Sequence, residues 1–365
     1  MELFIPGPID LDQKTNMAQT QELIGHRMPE FKELMKTCSE GLQEVLYTKN
    51  RVLISTSSGS GLMEGAIRNI VKEKVLVCEC GAFGKKWVSI AKSCGKNVGV
   101  LSVTEGKAIT KELLAQKLEE EDFEAVCITF NETSTGVTNS LEELVPIVKN
   151  AGALVLVDAV SAMAGIKIKV DELGLDVCLA SSQKCFALPP GLSFASVSEK
   201  ALDKAASITD RGYYFDFIEL AKSYDTNQTP YTPAINLMFA LKEKLAQIKA
   251  EGLDKRFDRH IKLKEITHAW VTENGFSLFA DQAYASNTIT CITNTKNIDM
   301  LVVKNKMKEK GYAIDSGYKK LNEKLVAENK PTTFRIPHVG DLTIDRLNKF
   351  LSELTKTMNE VEGLK

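Results

Sequence analysis

Residues 153–191, "ALVLVDAVSAMAGIKIKVDELGLDVCLASSQKCFALPPG", decide the fold of this chain. The runs 153–160 and 176–182 are apolar and rich in β-branched residues, which predicts two buried strands. Asp158 stands in the first run, and Lys184 comes shortly after the second run. One helix-plus-loop connection joins the two runs. Parallel strands joined in this way place their carboxyl ends at one edge of the sheet, where α/β proteins bind ligands. We therefore expect Asp158 and Lys184 to share a site.

Apolar runs alternate with helix-like segments around this stretch, from about residue 50 to residue 200. The predicted strands cover 51–56, 74–80, 97–103 and 125–130, and the predicted helices cover 62–73, 85–95, 111–121 and 141–152. Continuous apolar strands between helices are typical of a parallel sheet that is buried on both faces. The sequence therefore predicts an α/β fold with a mostly parallel central sheet.

The pattern changes after residue 233. The elements predicted there are helices over 234–252 and 253–275, a strand over 287–294, a helix near 297–310, a strand over 332–337 and a final helix near 342–361. Such an order is typical of a smaller α+β domain. We predict an N-terminal arm over 1–20, a large domain over 21–245 and a small C-terminal domain over 246–365.

The composition is ordinary for a globular protein, with 365 residues, 44% hydrophobic residues and a net charge of −2. A near-neutral charge gives no reason to expect a nucleic acid or an anionic membrane as a partner. No apolar stretch approaches the roughly 20 residues of a membrane span. The N-terminal stretch "MELFIPGPIDLDQK" lacks the features of a secretory signal. We therefore expect a cytoplasmic protein.

The eight cysteines and four histidines do not form a metal-binding pattern. "CEC" at 78–80 has the wrong spacing for a CxxC motif, and no two histidines stand four residues apart on one helix. We expect structural thiols in a reducing compartment and no metal site.

A Ser/Gly turn follows the first strand of the alternating pattern, in "STSSGSGLMEG" (55–65). Small residues let backbone N–H groups approach an anion, and the helix that follows adds about half a positive charge at its N-terminus. Ser58, Gly59 and Ser60 therefore form a candidate phosphate cradle. The stretch departs from the dinucleotide fingerprint at Glu64 and has no Walker A lysine. An N-capped helix with a glycine turn explains this stretch equally well by itself.

Three charged residues stand beside apolar strands, and each has a structural alternative. Asp158 is either a partner for a cation or several donors, or a turn residue. Lys184 is either a nucleophile toward an aldehyde, because desolvation lowers the pKa of an amine, or a surface lysine. Arg335, in "TTFRIPHVG", either binds a carboxylate in a bidentate manner or forms a structural ion pair.

Together these features meet the needs of one cofactor. A pyridoxal phosphate enzyme requires a phosphate cradle, a lysine for the aldehyde, an acid beside the ring nitrogen and an arginine for the substrate carboxylate. All four roles have a candidate residue, which disfavours a non-catalytic binding or structural protein.

Seven segments resemble the class V, fold type I aminotransferases, and within them the alanine–glyoxylate and serine–pyruvate group. They are "SGSGLMEGAIRN" (58–69), "GAFGKKW" (81–87), "NETSTGV" (131–137), "LVLVDAVSAMAG" (154–165), "VDELGLDVCLASSQKCFALPPGLSFASVSEKA" (170–201), "TPYTPAINLMFAL" (229–241) and "FRIPHVG" (334–340). The resemblance spans nearly the whole chain in order. It implies the fold type I architecture, with a large domain around the central sheet and a smaller C-terminal domain.

The resemblance also implies roles for single residues. Lys184 is similar to the Schiff-base lysine, and Asp158 to the partner of the pyridinium nitrogen of pyridoxal 5'-phosphate. Arg335 matches the carboxylate-binding arginine, and Gly7 lies in the "PGP" segment (6–8) that lines the substrate pocket. The other implied cofactor contacts are the phosphate loop Ser58, Gly59 and Ser60, the ring-stacking Phe83, the ring-hydroxyl contacts Thr133 and Gln183, and Thr232, which would come from the partner subunit.

The function implied by this resemblance is transamination in a homodimer with shared active sites. The amino group of a small amino acid (alanine, serine or aspartate) would pass to a 2-oxo acid such as glyoxylate or pyruvate. Family members carry Trp at the position of Phe83 in some cases, which would reduce the stacking area here. His26 and Arg27 lie in a region that similar proteins place near the dimer interface.

Two related activities remain as alternatives. Phosphoserine and aminophosphonate aminotransferases need cations for a second phosphate, and Lys85, Lys86 and His338 are candidates. A cysteine desulfurase is the weaker alternative. Gln183 stands where such enzymes usually carry a histidine, and the only late cysteine, Cys291, lies inside a predicted strand.

Overall fold

The computed structural model describes residues 1–363. The β-strands of this part of the chain are β1 (Glu2–Phe4), β2 (Arg51–Ser55), β3 (Lys74–Glu79), β4 (Asn97–Ser102), β5 (Ala125–Thr129), β6 (Asn131–Glu132), β7 (Val137–Thr138), β8 (Leu154–Asp158), β9 (Val177–Ser181), β10 (Ser193–Val197), β11 (Ser277–Leu278), β12 (Ile289–Thr293), β13 (Tyr312–Ile314) and β14 (Thr333–Pro337).

The α-helices are α1 (Gln13–Ala18), α2 (Pro29–Leu46), α3 (Gly59–Ile70), α4 (Ala82–Ser93), α5 (Lys111–Glu120), α6 (Leu141–Asn150), α7 (Val170–Leu173), α8 (Glu199–Ala206), α9 (Phe217–Tyr224), α10 (Ile235–Glu251), α11 (Leu253–Glu273), α12 (Met300–Glu309), α13 (Lys319–Ala327) and α14 (Ile344–Glu362). A short 3-10 helix covers Gln282–Tyr284. No helix among residues 1–363 combines the length and the hydropathy needed to cross a bilayer.

A seven-stranded sheet forms the centre of the molecule, in the order β2-β10-β9-β8-β5-β3-β4. The β8–β9, β5–β8, β3–β5 and β3–β4 pairs are parallel, and β10 runs antiparallel to both of its neighbours. The predicted α/β class and mostly parallel central sheet are therefore confirmed. The strands predicted over 153–160 and 176–182 are β8 and β9, each trimmed at its ends.

Alternate residues of β8 pack into different hydrophobic clusters. Val155 and Val157 join one cluster with α2, α6 and α10, whereas Leu154 and Leu156 join another with α3, α4, α8 and α9. This arrangement explains why β8 is apolar without interruption up to its last residue. The sheet is buried on both faces, as its sequence pattern predicts.

The carboxyl ends of three strands meet at one edge of this sheet. Asp158 pairs with Thr129 and Leu179 across the parallel ladder, while Ser55 and Ser181 both pair with Ser193 of β10. The loops that follow β2, β8 and β9 therefore begin at the same level. These loops carry the predicted cradle, the segment after Asp158 and Lys184.

A second sheet, β11-β12-β14, lies in the C-terminal part of the chain. Its core is a separate cluster that α11, α12 and α14 complete. The N-terminal strand β1 pairs in parallel with β13, and Phe4 stacks on Phe350 of α14 with ring centroids 3.7 Å apart. The N-terminal segment is thereby attached to the C-terminal elements before it reaches Lys184, in the loop after β9.

Candidate active site

Asp158 is buried at the end of β8 with few partners. Its Oδ1 accepts a hydrogen bond from the Val160 N–H at 2.9 Å, and it forms no ion pair with any residue of the described chain. Burial raises the pKa of this carboxyl to about 6, because the charged form loses its hydration. A buried carboxylate with one donor is short of hydrogen bonds, and a cationic N–H group of a bound molecule would supply what is missing.

Lys184 is the second buried ionisable group, with 9% of its surface exposed. Its Nζ donates a hydrogen bond to the carbonyl oxygen of Pro6. Burial, helped by the positive charge of Arg335, lowers the pKa of the amine to about 8. The prediction that desolvation makes this lysine an unusual amine is consistent with that shift.

Gly7 packs directly against the lysine side chain. A Cβ atom at this position would lie 2.9 Å from Lys184 Cδ and 3.1 Å from the carbonyl oxygen of Gln183. Its φ of +134° is also a conformation that side-chain-bearing residues rarely adopt. The "PGP" segment therefore touches the predicted site through its backbone, and Gly7 leaves the room that the lysine stem occupies.

The predicted cradle lies at the first turn of α3. Ser58 holds the N-cap position but makes no side-chain capping hydrogen bond, so the first N–H groups of the helix stay free of that side chain. A Cβ atom at Gly59 would lie 2.7 Å from Val160 Cγ2. The cradle therefore approaches the loop after Asp158 as closely as a glycine permits, and an anion is the ligand such a helix end favours.

Phe83 is held at the start of α4 by a buried carboxylate. Glu132 accepts hydrogen bonds from the Phe83 and Gly84 N–H groups at 2.8 and 3.2 Å, and also from Ser134. Burial raises the pKa of Glu132, although these donors oppose the effect. The Lys86 ammonium lies 4.9 Å from the centre of the Phe83 ring.

Thr133 joins the loop after β5 to the loop after β8. Its hydroxyl donates to Ser161 Oγ at 2.9 Å, and Asn131 Nδ2 donates to the same oxygen at 3.0 Å. These bonds lie within three residues of Asp158 in sequence. Thr133 is thus tied to the loop that follows Asp158, and its hydroxyl proton is already used by Ser161.

Arg335 extends from β14 and forms an ion pair with Asp315. Its Nε and Nη2 donate to the two carboxylate oxygens of Asp315 at 2.9 and 2.8 Å, and its Nη1 donates to the carbonyl oxygen of Thr133 at 2.9 Å. The structural ion pair that the sequence left open is therefore present. Of the five N–H groups of a guanidinium, these contacts use three, and two remain for a substrate carboxylate.

Two of the predicted residues, Gln183 and Thr232, make few contacts with the others. Gln183 is half-buried beside Lys184, and its side chain makes no hydrogen bond within the described residues. Thr232 is exposed, and it lines a surface groove together with Thr56 and Tyr231. No hydrogen bond within residues 1–363 joins Thr232 to Ser58, Gly59 or Ser60.

Arg27, which the sequence placed only loosely, holds the Thr232 segment from one side. Its guanidinium donates to the carbonyl oxygens of Thr229 and Pro230 at 2.6 and 3.1 Å. His26 makes no comparable contact with that segment among the residues that the structure describes.

Four residues of the site escaped the sequence interpretation: Asn131, Glu132, Ser161 and Asp315. Three of them lie inside the quoted segments 131–137 and 154–165, and only Ser161 could be noticed as a polar residue within an apolar run. Asp315 had no such signal, because it meets Arg335 only through the bridge between the segment after β13 and β14.

His338 and Cys291, the candidate residues for the two alternative activities, are poorly suited to those activities. His338 is fully buried between Thr290 and the Asn287 carbonyl, and burial lowers its pKa to about 3, so it carries no charge at neutral pH. Cys291 is buried within β12, where burial raises the pKa of its thiol to about 12. Neither a phosphate-binding cation nor a mobile thiolate is found at these positions.

The chain is similar to known aminotransferases over nearly its whole length. The family model for aminotransferase class-V matches residues 13–337. The chain is 35% identical over 345 residues to the soluble hydrogenase 42 kDa subunit of Anabaena cylindrica, covering 93% of this chain and 88% of that protein. It is 31% identical over 355 residues to the serine–glyoxylate aminotransferase of Methylorubrum extorquens, covering 93% and 86%. Its structure matches the alanine–glyoxylate aminotransferase from Nostoc sp. with a TM-score of 0.91 and 27% identity, covering 98% and 94%.

Proposed function

The chain belongs to the class V aminotransferases, with the fold type I architecture of that family, and from this premise we propose which reaction it catalyses and with which residues. The reaction is transfer of the amino group of a small amino acid (alanine, serine or aspartate) to a 2-oxo acid such as glyoxylate or pyruvate. One observation carries the assignment of the site: Asp158 and Lys184 are both buried without an ionic partner at the ends of adjacent parallel strands.

The residues at this edge of the sheet fit pyridoxal 5'-phosphate. When bound, that cofactor supplies an aldehyde that condenses with amines and a ring that withdraws electrons from the substrate Cα. The under-bonded carboxylate of Asp158 would accept the ring N–H, and the first turn of α3 would hold the phosphate. Phe83 would cover one face of the ring, and Thr133 and Gln183 would lie toward its hydroxyl group.

Lys184 carries the proton transfers of this proposal. An amine whose pKa is lowered to about 8 is partly neutral near physiological pH, so its Nζ could take a proton from the substrate Cα and then donate it to C4′, the cofactor carbon that would receive the amino group. The Pro6 carbonyl and Gly7 fix the side chain from the N-terminal arm. Loss of that support would displace the base by more than proton transfer tolerates.

Arg335 would bind the α-carboxylate of the substrate with its two remaining N–H groups. Asp315 fixes the plane of the guanidinium and balances its charge, so the binding energy would come from directed hydrogen bonds more than from net charge. A substrate lacking the α-carboxylate would leave these donors unpaired.

Small substrates are the part of the proposal that rests on the relatives. The serine–glyoxylate and alanine–glyoxylate aminotransferases named above act on short amino acids by their names. A phosphorylated substrate is disfavoured because His338 is neutral and Lys85 already faces Glu79 and Glu105 at 3.9 and 3.5 Å. Cysteine desulfuration is disfavoured because Cys291 cannot readily form a thiolate.

The proposal includes a homodimer and three regions of the chain with different roles. Residues 1–20 would form the arm, 21–245 the cofactor domain and 246–365 the small domain, which supplies Arg335. The exposed position of Thr232 supports its use in the site of a second subunit. We also propose that the enzyme works in the cytoplasm.

A donor and acceptor panel tests the function directly. Purified enzyme supplied with pyridoxal phosphate is assayed with alanine, serine, aspartate and phosphoserine as donors and glyoxylate, pyruvate and 2-oxoglutarate as acceptors. We expect turnover of the short donors with glyoxylate or pyruvate and the weakest turnover with phosphoserine. Preferred turnover of phosphoserine, or release of sulfide from cysteine, would replace the proposed reaction.

A further inference from the structure

Lys86 is a cation beside the cradle, and the transamination proposed above assigns it no role. It lies one helical turn after Phe83 on α4, and its Nζ stands 3.4 Å from Ser60 Oγ. Its positive charge also lowers the pKa of both Asp158 and Lys184 to a minor extent. The side chain is exposed rather than packed into a core, so it is free to adjust toward a ligand.

Lys86 differs from its neighbour Lys85 in having no anionic partner. Lys85 faces Glu105 at 3.5 Å and Glu79 at 3.9 Å. Lys86 forms no ion pair with residues 1–363, and its contacts are the Ser60 hydroxyl and the Phe83 ring. One of two adjacent lysines is therefore neutralised within the chain, and the other keeps its full charge at the cradle.

The cradle itself is poor in positive charge. Ser58, Gly59 and Ser60 are neutral, and the N-terminus of a helix contributes only about half a unit charge. A phosphate monoester carries about −1.5 to −2 charges at neutral pH. A phosphate held by the first turn of α3 alone would thus remain largely uncompensated, and Lys86 is the side chain within reach of Ser60 that can correct this.

We propose that Lys86 is the cationic ligand of the phosphate group of the cofactor, bridging the first turn of α3 to the first turns of α4. The inference rests on the proposed use of pyridoxal phosphate at this site. It assigns Lys86 to the cofactor rather than to a second phosphate on the substrate. Because Lys86 also touches Phe83, phosphate binding and the position of the ring-stacking residue are coupled through one side chain.

The test compares two cofactor forms that differ only in the phosphate. The full-length protein is freed of cofactor with hydroxylamine, which takes the aldehyde from the lysine, and is then dialysed. It is titrated with pyridoxal phosphate and with pyridoxal, and the visible absorbance of the covalent adduct gives each dissociation constant. Wild type, Lys86→Ala, Lys86→Arg and the matched control Lys85→Ala are measured side by side. We expect Lys86→Ala to weaken pyridoxal phosphate binding by about ten- to a hundredfold and to leave pyridoxal binding unchanged.

The other variants complete the assignment. Lys86→Arg keeps the charge and should recover most of the affinity, while Lys85→Ala should bind both forms like wild type. Inorganic phosphate should compete with pyridoxal phosphate less effectively in Lys86→Ala than in wild type. Equal weakening for both cofactor forms would overturn the inference and assign Lys86 to the support of Phe83. Unchanged binding would also overturn it. A wild-type protein that forms no adduct with either form would refute the proposed function itself.

Discussion

Two buried lysines of this protein have opposite surroundings. Lys244, on α10, has no exposed surface, and its Nζ contacts the carboxylates of Asp12 and Asp341 and the amide oxygen of Gln247. Lys184 meets a single backbone carbonyl and no carboxylate. The two lysines are therefore both buried but differ in their ionic partners. An amine that lacks an ionic partner within the described chain is easier to deprotonate, as the role proposed for Lys184 requires.

Asp12 beside Lys244 and Asp158 at the predicted site differ in the same way: only Asp12 has a cationic partner among residues 1–363. Burial raises the pKa of Asp12, but hydrogen bonds from Lys244 and Thr15 outweigh it and hold that pKa well below its ordinary value. Burial also raises the pKa of Asp158, and there no cation at contact distance reverses the effect. The first region uses charge for stability, whereas the second leaves charge available for a ligand.

Substitution of Lys184 should produce the largest effect on activity. Lys184→Ala removes the amine that binds the cofactor aldehyde and moves the proton, so we expect at least about a thousandfold loss of transaminase turnover. The thermal unfolding midpoint should change little, because the amine has no ionic partner within the described chain and only the Pro6 carbonyl loses a hydrogen bond. Steady-state kinetics and calorimetry measure both; a variant that keeps its activity, or that unfolds, would erase the contrast.

Substitution of Lys244 should act on stability instead. Lys244→Ala removes the cation that Asp12 and Asp341 share, although Asp341 keeps its ion pair with Arg256. Both carboxylates are partly exposed, so we expect a loss of about 3 kcal/mol, the lower end for a broken buried pair. Lys242→Ala, exposed on the same helix, is the matched control and should change the free energy of unfolding by no more than about 0.5 kcal/mol. Urea unfolding of the three proteins decides the matter. Equal stabilities would mean that the buried network contributes nothing.

Asp158 offers a test through pH. Its folded-state pKa of about 6 exceeds the unfolded value of about 3.9, so the folded protein binds this proton more tightly and gains stability as the pH falls between these values. Above pH 6 the charged carboxylate destabilises the cofactor-free protein by about 3 kcal/mol at most. Asp158→Asn should thus be more stable than wild type at pH 8, with the difference vanishing toward pH 4. Unfolding curves across this range check it, and a difference independent of pH would contradict the raised pKa.

Asp12 should behave in the opposite sense. Its pKa is depressed in the folded protein, so its contribution to stability is present above the unfolded pKa of about 3.9 and is lost as the pH falls further. Asp12→Asn should therefore lower stability at neutral pH, where Asp158→Asn raises it. The two variants titrated together make the sign of each effect unambiguous.

Substitution of Gly7 should reduce activity less than substitution of Lys184. Gly7→Ala and Gly152→Ala both place a side chain at positive φ, of +134° and +77°, and should each lose about 1–3 kcal/mol. Only the Cβ at Gly7 meets Lys184, whereas nothing lies within 4 Å of one at Gly152. We expect kcat/KM to fall about ten- to a hundredfold in Gly7→Ala and to stay unchanged in Gly152→Ala. A similar loss in both variants would assign it to backbone strain.

Features that depend on local sequence patterns were predictable from the sequence. Asp158 and Lys184 were identifiable because each interrupts or follows an apolar strand, and parallel strands end at one edge of a sheet. The predicted sheet strands and the long helices α10 and α11 were confirmed for the same reason: their periodicity is local. β10 was not predicted, because a five-residue strand containing Ser193, Ala195 and Ser196 has little apolar pattern.

The sequence could not predict contacts between side chains that lie far apart along the chain. Lys244 has the pattern of a solvent-exposed helix residue, and it is buried only because the N-terminal arm and the segment after β14 bring Asp12 and Asp341 to it. Glu132 and Asp315 are likewise defined by partners elsewhere in the chain. For Arg335 the sequence left two interpretations open, and the structure realises the ion pair while leaving two donors for the other.

The most direct test of the central claim is to locate the cofactor on the chain. The enzyme loaded with pyridoxal phosphate is reduced with borohydride, digested and mapped by mass spectrometry. The account predicts a stable phosphopyridoxyl modification on the peptide that contains Lys184 and none on the peptide that contains Lys244. Modification elsewhere with Lys184 unmodified, or a protein that retains no cofactor, would contradict it.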